Sequence, residues 1–177
     1  MYVTNNEVAR EELAKYNANP DGYRTTLQKE YGIPGQAWCA AFVSRCAKGT
    51  GNTVSTITKA EVYCPTMRQN FINKGKYVSN KQNSTDKLYN IAPGDVVFFI
   101  GGAKVKFDST NSYGETYETH HVGVVTKVYR NSANQIYAID FIDGNCNNTA
   151  RECKQLSLTF KNADRSDYEI IGFGFTQ

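Results

Sequence analysis

The stretch from Gly35 to Cys46 constrains the fold of this chain more than any other part of its sequence. Its apolar side chains recur at i, i+3, i+4 and i+7, which is the spacing of one helix face. They are Cys39, Phe42, Val43 and Cys46. The alanines between them favour a helix and add little bulk, and Pro34 and Gly35 interrupt the chain just before it. The pattern predicts a buried helix with Cys39 in or just before its first turn.

The position of Cys39 favours a reactive thiol. The free amide groups and the positive dipole end of a helix N-terminus stabilise a thiolate, which is the nucleophilic form of cysteine. Most buried cysteines are small inert hydrophobes, and Cys46, on the same face two turns later, is interpreted in that way. Cys39 is interpreted as a catalytic nucleophile because the chain also offers a histidine in a suitable context.

Length and charge limit the class of protein. A chain of 177 residues is long enough for a substantial core, and we assign residues 1–177 to a single domain. The net charge of +3 tolerates an anionic polymer, but Lys and Arg form no stripe, so no nucleic-acid partner is predicted. No segment approaches the roughly 20 apolar residues that span a bilayer.

The cysteines and histidines do not indicate a metal site. The chain has five cysteines, no CxxC pair and only two histidines, which are adjacent, so a zinc site is not predicted. The odd number leaves at least one thiol free if the others pair. Cys146 and Cys153 form a disulfide only if their side chains face each other, and the sequence leaves that open.

Helical patterns fill the first part of the chain and strand patterns the second. Helices are predicted at about 4–17, 23–31, from the Cys39 stretch to 48–51, and at 60–74, although Pro65 disturbs the last. Strands are predicted at 95–100, 121–129, 135–143, 156–160 and 168–175. This order is typical of the α+β class, with N-terminal helices packed on one face of an antiparallel sheet.

A base for Cys39 is predicted at the rim of this sheet. His121 opens one strand, and Asp143 and Asn145 close the next. If the two strands form a hairpin, the start of the first lies beside the end of the second, and period-two alternation puts Asp143 and Asn145 on one face. His121 is preferred to His120, which would face the site only if the register slipped by one residue.

Four blocks of the sequence resemble those of the CHAP family, the cysteine, histidine-dependent amidohydrolases/peptidases. They are Trp38–Ser44, Pro93–Phe99, His121–Val125 and Ile142–Asn145, in the family's order. The resemblance implies a papain-like fold and cleavage of bacterial peptidoglycan. The bond would lie within the stem or cross-bridge peptides, or between N-acetylmuramic acid and L-alanine. Such domains are common in bacteriophage lysins and bacterial autolysins.

The resemblance also implies roles for individual residues. Cys39 would be the nucleophile, and His121 the base that later protonates the leaving amine. The sequence has Asp143-x-Asn145 where the family often has Glu-x-Asn. Which of the two contacts the imidazole is therefore left open, with Asp143 favoured as the orienting group and Asn145 as its support. Gln36 is a candidate donor to the oxyanion, beside the Cys39 amide.

Aromatic residues near these blocks are candidates for a substrate groove. Trp38, Tyr113 and Tyr117 are suited to packing against sugars and peptides, although core packing explains Trp38 equally well. Some members of the family bind calcium through acidic residues just before the cysteine. Residues 33–38 contain no carboxylate, so we predict no metal and no cofactor.

The expected partner is bacterial peptidoglycan, and the expected state is a monomer. The first residues do not read as a signal peptide, so we expect a phage-encoded lysin released at lysis or a domain of a secreted protein. Two alternatives stay open. One is a papain-like peptidase or amidase that acts on a protein or a small amide, such as a toxin. The other is a wall-binding module that has lost its chemistry, which the retained cysteine and histidine argue against.

Overall fold

The computed structural model describes residues 3–50, 60–80, 90–100, 121–158 and 169–176, together with the backbone of 109–110 and 116–117. The helices in these ranges are α1 (Asn5–Ala18), α2 (Pro20–Glu30), α3 (Cys39–Gly49) and α4 (Cys64–Asn73). The strands are β1 (Tyr77–Ser79), β2 (Val96–Ile100), β3 (Ser109–Thr110), β4 (Thr116–Tyr117), β5 (His121–Arg130), β6 (Ile136–Cys146), β7 (Thr149–Ser157) and β8 (Glu169–Gly174). None of the described helices is long and apolar enough to cross a membrane.

One antiparallel sheet dominates the second half of the protein. Within the described ranges it has six strands in the order β1-β8-β2-β5-β6-β7, while β3 and β4 pair with each other. The predicted hairpin of β5 and β6 is present, with Val124 opposite Ile142. The predicted α+β class is confirmed.

The helices cover one face of this sheet. Val96 and Phe98 of β2 pack in a core cluster that contains residues from all four helices. Their neighbours Val97 and Phe99 point into a second cluster, which holds no helical residue of the described chain. Strand β2 is therefore buried on both faces, which explains its continuous run of apolar residues. Each fully buried side chain of this size contributes roughly 1.5–3 kcal/mol to folding.

Helix α1 is fixed at its start and tied to the other helices by a buried carboxylate. Thr4 and Glu7 form a capping box, each side chain accepting from the backbone amide of the other residue. Further along, Glu12 is 3% exposed. It accepts from Tyr23 Oη at 2.9 Å and lies 3.7 Å from Arg45 Nε. This carboxylate therefore joins α1 to α2 and α3, and so helps to fix the helix that begins at Cys39.

Two prolines set the starts of α2 and α4. Helix α2 begins at Pro20, three residues before the predicted start, because Asn19 caps it and proline suits the first helical position. Helix α4 begins at Cys64 and not near residue 60, because Pro65 is tolerated in a first turn but not in a helix interior. The second correction matters for the site, since it makes Cys64 the first residue of a helix.

The edge strand β7 differs from its prediction. It runs over Thr149–Ser157, whereas a strand was predicted at 156–160. In the described chain β7 pairs only with β6, and most of its side chains are polar and at least partly exposed, so no apolar alternation marks it. Cys153 lies opposite Phe141 in the register and not opposite Cys146, and both thiols are free.

The two ends of the described chain meet at the turn before β2. The Gly94 carbonyl accepts from Asn5 Nδ2 at 3.1 Å and from Thr176 Oγ1 at 3.1 Å. The adjacent Asp95 carboxylate accepts from the Thr176 amide at 2.9 Å. Gly94 has a φ of +102°, which favours a residue without a Cβ. This one turn therefore holds α1, β2 and the segment after β8 together.

Candidate active site

Cys39 is the first residue of α3, where the sequence predicted a helix start. Trp38 occupies the N-cap position and makes no side-chain cap, so no capping side chain competes for the first amide groups of the helix. The Ala40 amide donates to the Cys39 sulfur. Before the helix, Gln28 Nε2 donates to the Gln36 carbonyl at 2.6 Å and fixes the preceding loop. The positive end of α3 is thus directed at one buried sulfur.

The β5–β6 hairpin brings His121 and Asp143 together. Strand β5 begins at His121, and Gly123 lies opposite Asp143 in the register. His121 Nε2 is 2.9 Å from Asp143 Oδ2, and the two residues are 1% and 0% exposed. The carboxylate orients the ring and leaves Nδ1 for Cys39, with which His121 also forms a hydrogen bond. The imidazole of His121 therefore lies between the Cys39 thiol and the Asp143 carboxylate in the interior of the protein.

The electrostatics of these groups favour an imidazolium and a thiolate. Burial lowers the pKa of His121, but Asp143 and Cys39 outweigh this effect and raise it from 6.5 to about 9. Hydrogen bonds from Cys64, His121 and a helix amide lower the pKa of Cys39 well below its usual range, against the opposing effect of burial. Cys46 of the same helix has its pKa raised by burial. Helix α3 thus holds one thiol prepared for ionisation and one that stays neutral.

Asn145 lies on β6 two residues beyond Asp143, which is the residue that contacts the imidazole. Within the described ranges it makes no hydrogen bond with His121, whose Nε2 is bonded to Asp143. Asn145 has a φ of +62°, and the register of β6 with β7 shifts between Asp143 and Cys146. The left-handed residue and the bulge interrupt the alternation on which the predicted shared face depended. The supporting role of Asn145 stays a prediction.

Two residues at the site were missed by sequence reasoning. Arg151 Nε lies 3.3 Å from Asp143 Oδ1, so the carboxylate is held between a guanidinium and the imidazole. Cys64 Sγ lies 3.4 Å from Cys39 Sγ, and both thiols are free. Arg151 belongs to β7, the strand that the sequence pattern had predicted at 156–160. The Cys-Pro pair at 64–65 was a signal for a helix start, but nothing in the sequence directs it at Cys39.

Helix α3 and strand β6 approach each other closely beside Asp143. A Cβ on Gly144 would lie 2.6 Å from Trp38 Cζ3 and 2.8 Å from Phe42 Cβ. Trp38 itself is 0% exposed, and its Nε1 donates to Asn148 Oδ1 at 3.3 Å. A ring without exposed surface cannot line an open groove, so the predicted groove role of Trp38 is corrected to one in the core. Its packing holds α3, the helix that begins at Cys39, against the strand that carries Asp143.

The remaining predicted residues are not tested by these contacts. Gln36 is exposed in the loop before Cys39, and its role at the oxyanion stays a prediction. Tyr113 and His120 lie outside the described residues, and only the backbone of Tyr117 is described, in β4. In the ranges with described side chains, no three His, Cys, Asp or Glu residues are grouped as ligands for a metal ion.

Comparison with known proteins gives one positive finding. The family model of the CHAP domain matches residues 30–145, a segment that contains Cys39, His121, Asp143 and Asn145. This segment is about two thirds of the chain. No curated protein and no solved structure matched the chain significantly.

Proposed function

The chain belongs to the CHAP domain family, whose members are cysteine, histidine-dependent amidohydrolases/peptidases, and we propose that it hydrolyses an amide bond of bacterial peptidoglycan. One observation carries the proposal. The buried Cys39 thiol at the head of α3 is hydrogen-bonded to His121, whose other ring nitrogen is 2.9 Å from a buried carboxylate. This is the arrangement of nucleophile, base and orienting group that covalent hydrolysis of an amide requires.

In the first half of the proposed reaction, Cys39 displaces an amine. The Cys39 thiolate attacks the carbonyl carbon of the scissile amide and forms a tetrahedral intermediate. His121, protonated below a pKa of about 9, gives its proton to the departing nitrogen as the C–N bond breaks. The products of this half are a free amine and a thioester on Cys39. Asp143 keeps the ring oriented and stabilises its positive charge without taking the proton.

In the second half, water releases the acyl group. Neutral His121 takes a proton from a water molecule as its oxygen attacks the thioester carbonyl. Collapse of this second intermediate breaks the C–S bond, frees a carboxylic acid product and restores the thiolate–imidazolium pair. The oxyanion formed in each half would be stabilised by the Cys39 backbone amide at the head of α3, with Gln36 as the proposed second donor.

The substrate class is the finer part of the proposal. CHAP domains often act on peptidoglycan, and a net charge of +3 suits an anionic wall polymer. We therefore propose the cell wall as the place of action, with peptidoglycan as the partner and a monomer as the working form. The cleaved bond is an amide in the stem or cross-bridge peptides, or the amide between N-acetylmuramic acid and L-alanine.

The test is mass spectrometry of the fragments released from purified cell walls. The wild-type protein should release muropeptides, and Cys39→Ala should release none. Cys46→Ala is the matched control, because Cys46 lies on the same helix in the core and should retain the activity. Free lactyl ends on muramic acid would identify an amidase, whereas new peptide amino termini with the lactyl amide left intact would identify an endopeptidase.

Two outcomes would contradict the proposal. Turnover of a protein substrate with intact walls left untouched would indicate a peptidase outside wall metabolism. Binding to walls without release of any fragment, combined with ordinary reactivity of the Cys39 thiol, would indicate a wall-binding module. Alkylation of Cys39 near neutral pH separates the module from the enzyme, because only the enzyme needs a thiolate there.

A further inference from the structure

Two helices of this protein begin at a cysteine, and their sulfurs meet. Cys39 opens α3 and Cys64 opens α4, and neither helix has a side-chain cap. The Sγ atoms are 3.4 Å apart, far longer than a disulfide bond of about 2.05 Å and within reach of a hydrogen bond between sulfurs. Cys39 is 6% exposed and Cys64 is 5% exposed. The contact is a buried hydrogen bond between two free thiol groups.

The surroundings of the two sulfurs decide which one donates. Cys39 is bonded to His121 and to a helix amide, and both stabilise its negative charge. The hydrogen bond to Cys39, burial and the charge of Glu61 all raise the pKa of Cys64. The Cys64 thiol therefore keeps its proton when Cys39 is ionised. In the 3.4 Å contact the Cys64 S–H is then the donor, and the Cys39 sulfur is its acceptor.

The backbone leading into Cys64 is held against α3. Ser44 of α3 is fully buried, and its hydroxyl donates to the Glu61 carbonyl at 2.5 Å. The Glu61 carboxylate accepts from the amides of Val62 and Tyr63, each at 2.9 Å. These bonds fix the segment that enters α4 relative to the helix that carries the nucleophile. The donor is thus held in place before a substrate arrives, as a preorganised site requires.

We propose that Cys64 is a positioning residue that donates its S–H to the Cys39 thiolate and stabilises the attacking form of the nucleophile. The inference rests on the proposed function only in taking Cys39 as the nucleophile, and it does not depend on peptidoglycan as the substrate. Cys64 keeps its proton throughout the cycle, and no bond to its sulfur forms or breaks. A hydrogen bond to a charged acceptor is stronger than one between neutral groups, so the donor favours ionisation of Cys39.

The experiment measures the rate of Cys39 alkylation by iodoacetamide as a function of pH, in the presence of a reductant. Peptide mapping confirms that Cys39 carries the label, and thermal unfolding confirms that each variant is folded. Cys64→Ala removes the donor, whereas Cys64→Ser replaces it with a hydroxyl donor. Cys46→Ala is the matched control, since it removes another buried thiol that does not touch Cys39.

In Cys64→Ala the pH midpoint for thiolate formation should rise by about one unit, which lowers the thiolate fraction about tenfold below the midpoint. In Cys64→Ser the midpoint should rise less, because the hydroxyl group still donates to Cys39. In Cys46→Ala the midpoint should not change. If Cys64→Ala does not fold, Cys64→Val and Cys64→Thr give the same comparison at nearly constant volume, with the rise expected for valine alone.

Three results would overturn the inference. An unchanged midpoint in Cys64→Ala would exclude donation to the thiolate. Equal rises in Cys64→Ala and Cys64→Ser would assign the effect to packing. A wild-type midpoint near the ordinary cysteine pKa would refute the proposed function itself, because Cys39 would not be an activated nucleophile. The first two leave the proposed function standing, so the two failures are distinguishable.

Discussion

Replacing Asp143 with asparagine separates the charge of this residue from its shape. Asp143→Asn keeps an oxygen that can accept from His121 Nε2 across the 2.9 Å contact, but it removes the negative charge. The rise in the pKa of His121 from 6.5 to about 9 corresponds to about 3 kcal/mol in favour of the imidazolium. Burial opposes this rise and remains in the variant. We expect the pKa to fall by about one to three units, which is the range for loss of an adjacent opposite charge.

The direction of the effect on activity follows from the sign of this shift. Wild-type His121 stays protonated up to a pH of about 9, so at about pH 8 most molecules hold the imidazolium that the leaving amine needs. In Asp143→Asn the alkaline limb of the pH–activity profile should move to lower pH, so the variant should lose most of its activity at about pH 8. At lower pH, where the imidazole is again protonated, the variant should recover much of the difference.

A pair of alkylating agents reads the charge on His121 without a substrate. Iodoacetate is an anion and iodoacetamide is neutral. A neighbouring imidazolium attracts the anion and so increases the rate of Cys39 alkylation by iodoacetate relative to the rate with iodoacetamide. The ratio should fall as the pH passes the pKa of His121, near 9 in the wild type, and at a lower pH in Asp143→Asn. Asp140→Asn is the matched control, because Asp140 is a buried carboxylate of the same strand that accepts from Tyr129 and Gln155. If wild type and Asp143→Asn give the same ratio at every pH, the carboxylate does not sustain the charge on the imidazole.

Three further changes test the frame around the site. Arg151→Gln should lower kcat/KM only about two- to fivefold in steady-state assays, because the Arg151 side chain is 44% exposed and solvent-screened ion pairs contribute about 0.2–1 kcal/mol. A loss as large as that of Asp143→Asn at about pH 8 would contradict this. Trp38→Ala should lower the free energy of unfolding in urea by about 3–5 kcal/mol, as expected for a core ring, and a folded variant with only a raised KM would restore the groove interpretation. Gly144→Ala should cost about 1–3 kcal/mol of stability and slow alkylation of Cys39, because its Cβ would lie 2.6 Å from Trp38; unchanged alkylation would show that β6 and α3 can shift apart without harm.

The sequence contained enough information to predict the central part of this site. Helical spacing and a proline–glycine break located the start of α3 at Cys39. The hairpin predicted from two neighbouring strand patterns correctly placed His121 beside Asp143. In a paired hairpin the register fixes the start of the first strand next to the end of the second. Both arguments depend on local periodicity, and in both cases the packing of the folded protein agrees with the local pattern.

What the sequence did not predict depends on contacts between distant segments. The contact between Cys64 and Cys39 is set by the packing of two helix starts, and no spacing rule relates residues that are 25 positions apart in the sequence. Arg151 belongs to an edge strand whose polar side chains carry no apolar pattern. Strand alternation is no guide to the face of Asn145, because a left-handed residue and a register shift interrupt the strand after Asp143.

The shared carbonyl of Gly94 has a consequence for how this protein can be re-engineered. The side chains of Asn5 and Thr176 both donate to the same oxygen, so the backbones of these two residues lie close together. A brief glycine-rich linker would join them, and the polar turn at 131–134 would supply new termini at the end of the hairpin farthest from His121 and Asp143. A circularly permuted chain of this kind should keep Cys39, His121 and Asp143 in place, while Asp143 is synthesised before the other two residues and not after them.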